Sequence, residues 1–139
     1  MSLFYKKTAK KNPMNPESPK KWYILLKSTG QVGEKEVAKL LADETTLNPK
    51  EAEMALAQFQ KIMSRLLLDG KTVTIGDWGS FYLTASSYPA VSEAEAKASL
   101  LKSLNIRFNP GKEMKELINR EAKLVDINTL TSDGKKTKE

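Results

Sequence analysis

The sequence of 139 residues contains neither cysteine nor histidine. Without cysteine there are no disulfides, thiolate nucleophiles or thiolate-bound zinc, and without histidine the commonest general base and metal ligand is missing. Most catalytic schemes are thereby removed, so no enzyme activity, cofactor, metal or small-molecule substrate is expected. The acids do not restore one, because Asp43/Glu44 and Glu93/Glu95 are adjacent carboxylates in polar settings and read as solvated. Gly76-x-x-Gly79 lacks the Gly-Lys-Ser/Thr ending of a phosphate loop, and its use is conformational. Long apolar runs are absent too. Nothing approaches the ~20 apolar residues needed to cross a bilayer, and residues 1–11 are too polar for the core of a signal peptide. The expectation is a cytoplasmic protein without a membrane partner.

At 40% apolar content the chain can bury one core, or share one with a partner, with surplus at the ends. Its formal charge of +6 is unevenly spread: residues 1–27 carry seven lysines against Glu17 alone, and residues 28–139 carry 16 basic and 16 acidic groups. The positive excess belongs to the N-terminal extension. A neutral remainder weakens the simplest electrostatic case for phosphate binding, which depends on neutralised phosphates.

Leu3-Phe4-Tyr5 begins a short apolar run, and the prolines at 13, 16 and 19 make the following stretch a loop. Trp22–Leu26 alternates as a strand, with Trp22, Ile24 and Leu26 on one face and Tyr23 and Leu25 on the other. From Glu34, Val37, Leu40 and Leu41 fall at helical spacing that fades at Thr45-Thr46. Asn48-Pro49-Lys50-Glu51 then supplies an N-cap, a proline at the first helical position and a glutamate at the third. The second helix carries a stripe of Ala52, Ala55, Leu56, Phe59, Ile62, Met63, Leu66 and Leu67, too wide for one short helix to bury. Val73 and Ile75 alternate with threonines, Gly76-Asp77 breaks the run, and Gly79–Leu83 resumes it as a hairpin, with Phe81 expected against the second helix. Trp78 reads as a packing residue rather than a base-stacking one. Ser92 starts a short helical turn, Leu104, Ile106 and Phe108 form a returning strand, and a last helix runs from Lys112 to about Ala122.

The order of these pieces, with Thr-Val-Thr-Ile-Gly-Asp-Trp-Gly-Ser-Phe at 72–81 and Arg-Phe-Asn-Pro-Gly-Lys-Glu-Met-Lys at 107–115, resembles the HU and integration host factor family of bacterial DNA-bending proteins. In that family two helices lead to a strand, a Gly-Phe-Gly-Ser-Phe-like turn, a protruding β arm, a Phe-x-Pro-Gly-Lys segment and a last helix; Trp78 stands where the family usually has phenylalanine. The resemblance covers residues 33–122. It implies an α+β, HU-like fold with an extra N-terminal β segment: a basic β extension at 1–32, a DNA-binding domain at 33–125 and a disordered tail at 126–139. It also implies an intertwined homodimer that covers the stripe of the second helix. The alternative cover is the chain's own N-terminal hairpin and C-terminal helix.

By the same resemblance the partner is double-stranded DNA in the nucleoid, bound without base preference. The candidate contacts are Lys6, Lys7, Lys10 and Lys11 in the extension, Lys97, Lys102 and Arg107 in the arm segment, and Gly111, Lys112 and Lys115 where the last helix begins. A helix N-terminus beside a lysine can hold a phosphate, although Glu113 and Glu116 dilute that charge. Bending members carry an arginine-rich arm with Arg-Asn-Pro near its tip, whose proline wedges between base pairs. Here no arginine lies between Arg65 and Arg107, and Pro89, the single arm proline, follows Tyr88. Bending is therefore expected to be weak or absent. The rival reading is an HU-type structural or interaction dimer that has lost DNA binding.

Overall fold

The first strand and the one after it carry alternating side chains that pair across a ten-residue connection. In the computed structural model, which describes residues 2–133, β1 (Leu3–Lys10) runs antiparallel to β2 (Lys21–Lys27), in register from Phe4 opposite Lys27 to Lys10 opposite Lys21. A third strand, β6 (Leu124–Asp126), joins β1 in parallel on its other side, giving the order β2-β1-β6. Residues 127–133 continue as a short helix, α4 (Ile127–Asp133). This departs from the expected tail at 126–139: Leu124 and Val125 are apolar residues that complete the edge of β1, and Asp126 then caps the turn into α4 by accepting the Asn128 N–H at 3.0 Å. The rest of that expectation, from 134 on, lies outside the described residues.

The described residues divide into two compact units, one of residues 2–31 with 119–133 and one of residues 32–118. The N-terminal segment and the C-terminal segment thus share a sheet, where the sequence pattern grouped residues 33–125 together.

In the second unit α1 (Glu34–Asp43) has Glu34 and Glu36 in its first turn, where carboxylates oppose the positive end of the helix dipole. Helix α2 (Pro49–Leu68) starts at the expected capping box: Asn48 Oδ1 accepts the Glu51 N–H at 2.9 Å and Glu51 Oε2 accepts the Asn48 N–H at 3.0 Å. It ends in a Schellman arrangement, the Lys71 and Gly70 N–H groups donating to the Leu66 and Leu67 carbonyls. The two helices pack on each other through small and branched side chains, with Ala38, Ala52 and Leu67 buried.

The second sheet, order β3-β4-β5, joins β3 (Val73–Ile75), β4 (Gly79–Ser87) and β5 (Leu101–Pro110). β4 and β5 pair from Gly79 opposite Pro110 to Ser87 opposite Leu101 and form the arm. Its tip, residues 88–100, contains two short 3-10 turns at Glu93–Glu95 and Ala98–Leu100. Helix α3 (Lys112–Glu121) follows directly. At the base of the arm Phe81, Phe108 and Trp78 form a cluster, with ring centroids 4.8 Å apart for the two phenylalanines and 5.4 Å for Trp78 and Phe81. Trp78 packs on rings, as the sequence suggested.

Candidate nucleic-acid interface

In antiparallel strands, directly opposed residues project to the same side, so the β1–β2 register sorts the side chains of the first sheet by face. Lys6 opposes Leu25, Lys10 opposes Lys21, Thr8 opposes Tyr23 and Phe4 opposes Lys27. These residues share one face. The other face holds Leu3, Tyr5, Lys7, Ala9, Trp22, Ile24 and Leu26. Lys7 is therefore separated from Lys6 and Lys10 and forms an ion pair with Asp126 at 3.6 Å. The Lys10 ammonium lies 5.8 Å from the Tyr23 ring centroid, within cation–π range. Lys11 follows in the connection, which is held by the Asn15 N–H to Asn12 O and Ser18 N–H to Asn15 O bonds.

The other six candidates lie in the second unit and are spread along it. Lys97 precedes the second 3-10 turn at the arm tip. Lys102 sits where β5 has one residue more than β4, at the register shift opposite Ser86/Ser87, and its ammonium is 5.7 Å from the Tyr88 ring centroid. Arg107 is five residues further along β5, opposite Tyr82. At ~3.4 Å per residue that places it about 17 Å from Lys102, toward the base of the arm. The three do not converge on one point. They mark a line along the arm.

The start of α3 is anchored to the β3–β4 turn. The Gly111 N–H donates to the Trp78 carbonyl at 2.9 Å, and a Cβ on Gly111 would collide with the Asp77 carbonyl group. The same contact brings the Asp77 and Glu113 carboxyl groups together. Their hydrogen bond and the Asp77 charge hold the Glu113 pKa above its ordinary value of 4.5. Lys112 is occupied with Glu116 at 3.9 Å. A helix N-terminus that attracts anions is thus faced by two acids of its own, one of which, Asp77, the sequence reading did not connect to it. Only the tertiary contact through Gly111 reveals Asp77, whereas the lysines Lys21 and Lys27 were visible in the alternation of β2 once its partner strand was known.

The profile of HU-HIG, described as an HU domain fused to wHTH, Ig, or glycine-rich motif, matches residues 1–124. The chain belongs to this family. No curated protein matches it. Among solved structures the HU-HIG chain is similar to a Bacteroides vulgatus ATCC 8482 protein assigned to bacterial DNA binding, at 10% identity and a TM-score of 0.61 over 89% of this chain and 48% of that one. The chain thus spans about half the length of that protein. It is also similar to Anabaena HU crystallised with DNA, at 18% identity and a TM-score of 0.47, over 63% of this chain and 97% of that one.

Proposed function

We propose that this HU-HIG chain is a sequence-tolerant DNA-binding protein of the nucleoid, working as a homodimer that grips phosphates and bends the duplex little. The observation that carries the reading is the second unit: a two-helix base and a β4–β5 arm, in the family's order, whose apolar surfaces are left uncovered within the chain. Phe59 and Ile62 of α2 remain exposed, as do Leu104, Ile106 and Phe108 of β5. A second copy meeting the same surfaces would cover them. An arm with Lys97, Lys102 and Arg107 along its length suits phosphate contacts, which fix position without reading sequence.

The similarly folded Bacteroides vulgatus protein, assigned to bacterial DNA binding, supports the same reading at the level of partner class. Gly111, Lys112 and Lys115 complete the proposed contact set within the second unit, with the Asp77–Glu113 pair moderating their attraction. The test is a salt titration with two duplexes of unrelated sequence. Equal affinities, falling linearly on a log–log plot by about 0.9 per phosphate contact, are expected. Absence of binding at low salt would favour the alternative of an interaction dimer without DNA.

A further inference from the structure

The first sheet is polarised. One face presents Lys6, Lys10, Lys21 and Lys27, and the other is largely apolar. Lys10 and Lys21 stand directly opposite one another, an arrangement of like charges that destabilises a strand pair unless an anion relieves it. Of the carboxylates in this unit, Asp126 is against Lys7 and Glu121 is beside Arg120, while Glu17 lies in the connecting turn next to Ser18 without lining the cleft at Lys10 and Lys21. Beside the Lys10/Lys21 pair a cleft of about 380 Å³ opens between the sheet and its connecting turn, lined by Lys10, Lys11, Lys21 and Tyr23 with Asn12 and Ser18. Three ammonium groups and the side-chain amide N–H of Asn12 around one small cleft form a site for an oxyanion, while the Ser18 hydroxyl donates its proton to the Asn15 carbonyl at 2.7 Å.

We infer that this face is a second nucleic-acid contact surface, with a backbone phosphate seated in the cleft at Lys10, Lys11 and Lys21 and the backbone continuing past Lys6 to Lys27. The inference rests on the DNA-binding reading; to the extension lysines expected from the sequence it adds Lys21 and Lys27, and from them it removes Lys7. Its dimensions favour a phosphodiester strand. From Lys21 to Lys27 the strip is six residues long, about 20 Å at ~3.4 Å per residue, and two strands wide, about 5 Å. That is a line of positive charge the length of about six base-pair steps. Its cations are all lysines, point charges that suit repeating phosphates, and residues 1–31 contain no arginine to supply the planar fork of a carboxylate-specific site. Tyr23, with the Lys10 ammonium over its ring, positions that lysine at the cleft mouth.

The full chain carrying Lys6→Gln, Lys10→Gln, Lys21→Gln and Lys27→Gln should be compared with Lys7→Gln and with a charge-matched variant of Lys35, Lys39, Lys61 and Lys71. Each is titrated with salt on a duplex, on the corresponding single strand and on polyglutamate. If each face lysine holds one phosphate, the four-fold variant lowers the log–log slope by about 3.6 per chain. Between 50 and 200 mM salt the wild-type affinity then falls about 150-fold more than the variant's. Lys7→Gln and the charge-matched variant keep the wild-type slope, and replacing the four lysines by arginine restores it. An unchanged slope in the four-fold variant, with duplex binding retained, overturns this inference and leaves the DNA-binding reading standing. Equal losses in the charge-matched variant, or binding to polyglutamate as tight as to nucleic acid, also overturn it. No binding of either nucleic acid by the wild-type chain overturns both. A stronger effect on the single strand than on the duplex supports the surface and assigns it to single-stranded backbone.

Discussion

The Gly111 N–H, bonded to the Trp78 carbonyl, holds the start of α3 against the β3–β4 turn, with Gly111 close against the Asp77 backbone. Any side chain at 111 must push against the Asp77 backbone, which cannot swing away as a side-chain tip would. Gly111→Ala should therefore cost about 1–3 kcal/mol, read as a lowered urea midpoint at unchanged slope; a midpoint equal to the wild type's would contradict the contact. Asp77 acts on Glu113 by hydrogen bond and by charge. Because the folded pKa of Glu113 is raised, the native state binds more protons than the unfolded one just above pH 4.5, and stability falls as pH rises through that window. Asp77→Asn should return the Glu113 titration, followed by carboxyl NMR, toward 4.5; an unmoved midpoint would show another cause. The same substitution removes an acid from the α3 N-terminus and should tighten duplex binding about two- to fivefold, the effect of ~0.3–1 kcal/mol for a charge at a helix end.

Single elements differ in how much of them the sequence disclosed. The α2 capping box was legible because Asn48, Pro49 and Glu51 specify it locally, and the alternation of Trp22–Leu26 specified β2 in the same way. β6 was not legible: three residues carry too little periodicity, and their strand character comes from pairing with β1, which precedes them by more than a hundred residues. The faces of β1 were hidden for the same reason. Lys6, Lys7 and Lys10 look alike in sequence, and only register with β2 and Asp126 separates them. Phe81 was expected against α2; its strand β4 does contact α2, and its ring also packs on those of Trp78 and Phe108, a cluster the sequence did not disclose. The arm is the element on which bending depends. Kinking costs a few kcal/mol per unstacked step, recovered only by an inserted wedge with basic neighbours. Pro89 lies in the tip between Tyr88 and Ala90, followed by the acidic turn at Glu93–Glu95. Energy transfer across an end-labelled duplex of about 30 base pairs should show little shortening at saturation, and Pro89→Ala should leave affinity nearly unchanged. Strong shortening that Pro89→Ala abolishes would make the arm a wedge.

For the whole molecule the governing fact is uncovered apolar surface. Among the described residues the buried apolar side chains are those of Ala38, Ala52 and Leu67. Large side chains such as Ile106, at 69% exposure, stand open. Burying a side chain of that size contributes about 1.5–3 kcal/mol, so a partner that covers several of them outweighs the cost of association. Phe59→Ala, placed by this account in the shared core, should cost about 3–5 kcal/mol and shift the chain toward unfolded monomer. The most direct test of the central claim, a homodimer that binds duplex DNA, is sedimentation of the wild-type chain at micromolar concentration, alone and with a short duplex at low and high salt. The account predicts a dimer alone, a two-chain complex on the duplex at low salt, and release of an intact dimer at high salt. A stable monomer that never co-sediments with the duplex would contradict it.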